Sequence, residues 1–457
     1  MVSSRVGRAS LVRTSLLLLA AQVVLRLTDA GLPILLASLF GRSRATDVYF
    51  FAWAAFAFAG AIVFSAYQDS AIVPILGEVR LLAPQAMDAV VGAFIGHTVV
   101  FGGTLSLAIG GLAMAVLGLR YDGAELALAA KMVPLFSACL LATSLKTFYG
   151  AVLSAHMRFF AAPVASAAGT LLTLAVVFLG RGAGVGIVPA ATLAGELLAA
   201  MVLAWVVHGL LRIQLRPSLA RPEPVRRFAR LAAPEVGGGA LTRINPAVDQ
   251  MVCGLAGVVG GGTMLRFSGD LSAVPTSLLS ASVLGVLLSH LSEDFGRGDL
   301  ARARRTVRST LLVSTLLLAA AAGAMHVARV PLLRLAFLHG EMDAAGIDAM
   351  AEILPYHLLG LPGFGALLVL ARAHVASQNG RIMLGMGVLN ATANALFDFA
   401  LVGPLGLRGV ALATSLVHLG VALVFWVRLE RRFRVLARSE SRPQPTPRTE
   451  RASAPHR

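Results

Sequence analysis

Apolar residues fill stretches about twenty positions long, from Leu16 to Trp426, separated by short polar breaks. A hydrocarbon slab roughly 30 Å thick imposes this pattern, because backbone groups inside it find hydrogen-bond partners only within their own helix. The runs predict about twelve membrane helices, at 14–39, 48–76, 87–118, 126–154, 159–180, 185–211, 231–256, 262–291, 306–336, 345–373, 380–403 and 407–427. The predicted class is all-α and polytopic. Met1 to Arg13 is basic and precedes Leu16-Leu17-Leu18-Leu19, as in a signal peptide. The apolar run nevertheless continues past Arg26 and Asp29 to Phe40, too long for a cleaved leader, and reads as the first membrane helix.

Residues 212–230 carry Arg216, Arg221, Arg226 and Arg227 among Pro217, Pro222 and Pro224, which predicts a cytoplasmic linker between a six-helix lobe over 1–211 and a second over 231–430. Residues 431–457, rich in Arg, Pro, Ser and Thr, read as a basic, disordered cytoplasmic tail. The halves resemble each other. Laid without a gap, Ser154 to Thr192 falls on Ser377 to Ser415, so that Arg158 meets Arg381, Gly180 meets Gly403 and Gly186 meets Gly409. Matching halves of equal orientation imply parallel repeats about an axis along the membrane normal, with a central cavity between them and access alternated by rocking.

Composition sharpens this picture. Of 457 residues, 57% are hydrophobic and 14% charged, against roughly 25% charged in soluble domains. The formal charge of +16 would suggest nucleic acid in a soluble protein, but the basic residues fall in short loops and the tail. Arg297, Arg302, Arg304, Arg305 and Arg308, with Arg431, Arg432, Arg434 and Arg438, place both termini in the cytoplasm of an inner membrane by the positive-inside rule. The expected partners are membrane lipids and a translocated amphiphile, with no nucleic acid. Cys139 and Cys253 lie in apolar runs and offer no disulfide framework or zinc cluster.

A charge at the bilayer centre costs at least about 2.5 kcal/mol, so intramembrane charges line water, pair or bind something. Arg26 and Asp29 share a face of the first helix, the seventh carries Glu235, Arg243 and Asp249, and the eighth carries Arg266 and Asp270 at i,i+4. These helices are expected to turn a charged stripe toward the cavity, where arginine forks suit a diphosphate. The plainer alternative is mutual neutralisation of Arg26 with Asp29 and of Arg266 with Asp270.

On the eleventh helix Asn394 and Asp398 stand one turn apart, and on the twelfth Thr414 follows Val410 by one turn. Carboxylate, amide, hydroxyl and backbone carbonyl oxygens suit a hard cation such as Na+, and Asp249 completes the set. Their repeat counterparts are Leu171, Ala175 and Ala191, so the fold alone does not require polar groups there. His357 and His374 have no metal-ligand spacing and read as pore-lining or interfacial. Gly92 and Gly96 form a GxxxG, usually a mark of close helix packing. No nucleophile with a base and no paired catalytic carboxylates appear, so no enzyme activity is expected.

Leu39-Phe-Gly-Arg-Ser-Arg-Ala-Thr-Asp47-Val-Tyr-Phe-Phe, Ser70-Ala-Ile-Val-Pro-Ile-Leu-Gly-Glu78, Arg243-Ile-Asn-Pro-Ala-Val-Asp249, Leu288 to Asp299 and Asn394 to Leu405 together resemble the MurJ/MviN family of lipid II flippases. The resemblance covers nearly the whole chain. It implies a cavity receiving a lipid-linked head group, with Arg26 on the family's first arginine, Asp47 on its acid, and Asp249, Asn394, Asp398, Val410 and Thr414 where members bind sodium. Departures are Leu32, Gly60 and Asp270 at positions where the family carries arginine. The implied function is translocation of lipid II or another polyprenyl-diphosphate-linked cell-envelope glycan, coupled to sodium or membrane potential, in the company of cell-envelope synthesis proteins. A cation-coupled drug or metabolite exporter and a non-transporting envelope scaffold stay open as alternatives.

Overall fold

A computed structural model describes residues 31–64, 71–230, 241, 244–280, 285–377, 379 and 381–440. The first half contains α1 (Gly31–Phe40), α2 (Arg44–Phe64), α3 (Val73–Leu82), α4 (Met87–Arg120), α5 (Gly123–Ala155), α6 (Ala161–Leu179) and α7 (Ile187–Leu211). A helical stretch over 223–230, α8, belongs to the linker. The second half contains α9 (Asn245–Cys253), α10 (Gly261–Leu279), α11 (Gly285–Gly296), α12 (Leu300–Val327), α13 (Arg329–Phe337), α14 (Ala344–Leu359), α15 (Leu361–Ala376), α16 (Arg381–Leu405) and α17 (Leu407–Glu440). Among the described residues there is no strand, and eight helical stretches are long and apolar enough to cross a membrane. Together with the shorter segments, this is consistent with about twelve spans of a polytopic membrane protein.

Two predicted single runs are each split. The run 306–336 breaks at Ala328, whose φ and ψ of −89° and 11° leave the helical range, and Pro331 then sits in the first turn of α13. The run 345–373 breaks at Gly360, two residues before Pro362. Proline has no N–H and its ring clashes with the preceding turn, so both positions suit the start of a new helix, whereas Pro134, Pro275 and Pro355 are carried inside α5, α10 and α14. In the other direction α17 runs on to Glu440, past the boundary at 431 where the tail was expected to start. Glu430 explains this extension: its buried carboxylate accepts from Arg304 and, at 3.0 Å, from Arg308 on α12. That clamp anchors the end of α17 to the neighbouring helix.

The linker is seated on α4. Ser218 N donates to Gly92 O at 2.9 Å, and a Cβ at Gly96 would stand 2.1 Å from Ser218 O. The GxxxG therefore makes room for an extended strap rather than for a second helix.

Three buried clusters hold the molecule together. The first crosses between the halves, joining Leu36, Val48, Phe50 and Phe136 to Met264, Phe267, Ile347 and Val410. The second lies wholly in the first half and linker, with Leu76, Phe94, Phe148, Leu203 and Val225. The third lies wholly in the second half, with Leu291, Val307, Val417, Phe425 and Phe433. The two halves thus share one core at the end bearing the α1–α2, α9–α10 and α13–α14 turns. Each has its own core at the end bearing the basic linker and the arginines of α12 and α17.

Candidate transport site

At the shared end the start of α2 is built by its own sequence. Ser43 N donates to Thr46 Oγ1 at 2.8 Å while Thr46 N donates back to Ser43 Oγ at 3.2 Å, a reciprocal cap. This aims Thr46 and Asp47 across the halves. Asp47 accepts from Gly260 N at 2.8 Å, from Thr263 N at 2.9 Å and from Thr263 Oγ1 at 2.9 Å. Free N–H groups at a helix start are ready donors to a carboxylate. Asp47, expected among the head-group ligands, is therefore occupied by the N-terminus of α10 and buried. Further ties surround this latch. Arg120 donates to Gln250 O at 2.9 Å, and Arg42 makes a paired contact with Asp343 at 2.9 and 3.0 Å. The Arg42 guanidinium holds the Asp343 carboxyl below the ordinary carboxylate range.

Below the latch two adjoining cavities, of about 180 and 410 Å³, lie between α2, α9, α10, α14, α15 and α17. Ala54, Pro246, Asp249, Arg266, Gly269 and His357 line both, so they form one chamber. Arg266 and Asp270 do meet here, Nε to Oδ2 at 2.9 Å, and the guanidinium lies over the Trp53 ring at 4.3 Å from its centroid. Both readings of this pair hold together: the charges pair with each other, and both line the chamber. Arg26, Asp29, Glu235 and Arg243 lie outside the described residues.

On the chamber's edge the oxygen cluster assembles. Asn394 Nδ2 donates to Asp249 Oδ1 at 2.7 Å and to Asp398 Oδ2 at 2.7 Å, bridging α9 and α16. Thr414 Oγ1 stands 3.5 Å from Asp249 Oδ2 and 3.4 Å from Val410 O. All five predicted residues are thus neighbours. Asn394 and Asp398 have no exposed surface, and their Oδ1 atoms have no partner. Leu171 and Ala175, the repeat counterparts on α6, are exposed, whereas α9 covers Asn394 and Asp398.

Sequence reasoning missed three features. Asn245 and His418 line the chamber but carry no charge that periodicity would flag. Lys146 and Glu196 form a half-buried pair at 2.7 Å between α5 and α7, joined by Thr143 at 2.8 Å; an ionisable residue inside each of two apolar runs was the available signal. His357 is pore-lining as expected, whereas His374 is a buried strut whose ring bonds Phe425 O at 3.1 Å.

Comparison with known proteins agrees with this architecture. The family described as MurJ, Lipid II flippase MurJ, matches residues 36–443. A probable lipid II flippase MurJ from Rhizobium tropici is 24% identical over 322 residues, 69% of this chain and 60% of the relative, so the match spans less than two thirds of that protein. A lipid II flippase MurJ from Burkholderia cenocepacia is 25% identical over 422 residues, 87% of this chain and 81% of the relative. A MurJ structure in an inward closed conformation superposes with a TM-score of 0.77 at 18% identity, covering 92% of this chain and 90% of the other. A multidrug transporter of the MATE family superposes with TM-scores of 0.76 inward-facing and 0.64 outward-facing, both at 16% identity. The pairings cover 92% and 93% of this chain and 96% of the transporter in each form. At these identities the structural likeness shows the fold alone.

Proposed function

The chain belongs to the MurJ lipid II flippase family, and from that premise we propose that it carries lipid II or another polyprenyl-diphosphate-linked cell-envelope glycan across the inner membrane by alternating access. The observation that carries this reading is a charged chamber between two lobes that share a core at one end only. Lobes joined at one end can rock, because opening there exchanges one set of interlobe contacts for another without unfolding either separate core. The basic linker and the arginines of α12 and α17 favour the parted end as the cytoplasmic one, with the latch facing outward.

Asp249, Asn394, Asp398, Thr414 and the Val410 carbonyl fit a sodium ion: the donors are oxygens, two are carboxylates, and two buried oxygens there have no partner. Bound sodium would supply the positive charge that lets Asp249 and Asp398 stay ionised side by side. The residues come from α9, α16 and α17, all in the second half, so a ligand they share ties α9 to the α16–α17 pair within that lobe.

The test is transport of a labelled polyprenyl-linked sugar in proteoliposomes, together with complementation of a strain depleted of its lipid II flippase. Growth supports lipid II. Failure with good membrane expression points to another glycan, and absence of all lipid-linked transport overturns the reading. A cation-coupled exporter is the second reading, favoured by the Trp53, Phe58 and Phe364 rings and the acids Asp249 and Asp270 on the chamber. Sodium-dependent efflux of an amphiphilic drug without lipid transport would select it.

A further inference from the structure

Away from the chamber, the described residues of the first half keep an ion pair deep within two membrane helices. Lys146 Nζ on α5 donates to Glu196 Oε1 on α7 at 2.7 Å, and Thr143 Oγ1 donates to Glu196 Oε2 at 2.8 Å. Glu196 stands nine residues from one end of α7 and fifteen from the other, about 14 and 22 Å of helix. That depth is near the middle of a slab roughly 30 Å thick. The side chains of Lys146 and Glu196 keep 18% and 22% of their surface open, so the pair is not sealed in a core.

Helix packing does not ask for this pair. Carried on without a gap, the alignment of the halves sets Thr143, Lys146 and Glu196 on Ala366, Val369 and Leu419. Those three stand on α15 and α17, which pack together as α5 and α7 do. A buried ion pair replaced by apolar residues of similar size is often neutral for stability or better, so the charges are a chemical addition to the first lobe. Lys146 is one of only two lysines in a chain that draws its other side-chain cations from arginine. A guanidinium stays charged in any protein, whereas an ammonium and a carboxylate in contact can change protonation state. Among the described residues packed around the pair, Cys139, one turn before Thr143, is the titratable neighbour. Tyr49 of α2 lies against the Phe50 and Phe136 rings, His97 of α4 bonds Ala93 O, Glu78 of α3 pairs with Arg227, and α6 carries no ionisable residue.

We propose that Thr143, Lys146 and Glu196 form a proton-binding site of the first lobe, separate from the Asp249 and Asp398 cluster of the second. A proton from water adds to the Glu196 carboxylate, the hydrogen bond from Lys146 Nζ is given up, and Lys146 keeps its ammonium protons. The lobe then carries one more positive charge in mid-membrane, which is costly unless Lys146 reaches water. The proton therefore favours the lobe arrangement that wets the pair, as any ligand favours the state that binds it better. The site rests on the rocking proposed above and not on which lipid is carried.

The experiment follows the lobe arrangement of the purified full-length protein as pH is lowered, by the distance between spin labels on Leu219→Cys and Arg305→Cys, exposed residues of the strap and of α12. Cys139 and Cys253 are replaced by Ala throughout. With the triad intact, the ratio of two distance populations should change by about threefold to tenfold per pH unit, tenfold being the limit for one proton. Glu196→Gln, a neutral copy of the protonated side chain, should hold the acid distribution at every pH. Lys146→Val/Glu196→Leu, which copies the second half, should stay folded and show one distribution that ignores pH. A pH shift that survives in this double variant would place the proton elsewhere and overturn the site. Distances that answer to sodium but not to acid with the triad intact would also overturn it and leave the rocking standing. Distances that answer to neither would overturn both.

Discussion

Arg266 and Asp398 show how differently an intramembrane charge can be kept. Arg266 is held by one carboxylate and one ring and remains half-buried on the chamber, so it stays available to a ligand. Arg266→Ala should cut lipid-linked sugar transport in proteoliposomes by about tenfold or more, because a charged hydrogen bond contributes about 1.5–3 kcal/mol. Membrane insertion should be unaffected, and wild-type rates would remove Arg266 from the transport site. Asp398 is fully buried beside Asp249, with Asn394 between them. Wild type should therefore melt higher in sodium than in choline buffer of equal ionic strength, by up to about 2.7 kcal/mol of stability at a hundredfold excess over Kd. That increment should vanish in Asp398→Ala and shrink in Thr414→Val, while Ala175→Ser, at the repeat counterpart, leaves it intact. An increment that survives in Asp398→Ala would put the ion elsewhere.

At the scale of elements, apolar periodicity reports how long a segment is and whether lipid can surround it, but not where it is interrupted. The breaks at Ala328 and Gly360 fall just before Pro331 and Pro362, which a hydropathy count passes over because proline interrupts hydrogen bonding rather than hydrophobicity. Pro134 and Pro275 inside α5 and α10 show that a proline alone does not set a break. The continuation of α17 depends on Arg304 and Arg308, more than a hundred residues away in the chain. The strap at 212–222 is held by glycines of α4, and Gly96→Ala should push Ser218 off its seat. Overpacking of this kind costs about 1–3 kcal/mol, and limited chymotrypsin digestion after the exposed Leu219 should accelerate. Unchanged cleavage would mean that the strap is held by its other contacts, such as Gln214 N to Asp88 at 3.1 Å.

For the whole molecule, transport by rocking requires the shared end to open, and the Thr46, Asp47 and Thr263 latch must then separate. Thr46 Oγ1 and Thr263 Oγ1 are 3.0 Å apart, so cysteines at both positions are close enough to be bridged with little backbone movement. The Thr46→Cys/Thr263→Cys double variant should lose transport on oxidation and regain it on reduction. Full transport with the cross-link in place, verified by mass spectrometry, would rule out opening at this end. The double variant is made with Cys139 and Cys253 both replaced by Ala, because Cys253 is buried near Asp47 at the latch.

Lipid is the reason the chain alone specifies its class. In a medium that offers no hydrogen bonds, twenty-residue apolar runs have to be helices, and charges inside them have to be accounted for, so the polytopic class and the Asp249, Asn394, Asp398, Val410 and Thr414 cluster were legible in the sequence. The two-lobe repeat is an expectation of the same kind, read from paired runs with matched glycines and arginines. What each charge faces was not legible, because helical spacing specifies a face but not the neighbour packed against it. Only the tertiary structure turned Asp47 from a head-group ligand into a latch on α10, set Arg266 against Trp53, and brought the uncharged Asn245 and His357 to one chamber wall. Those contacts join residues far apart in the chain, and their partners are chosen by packing between helices.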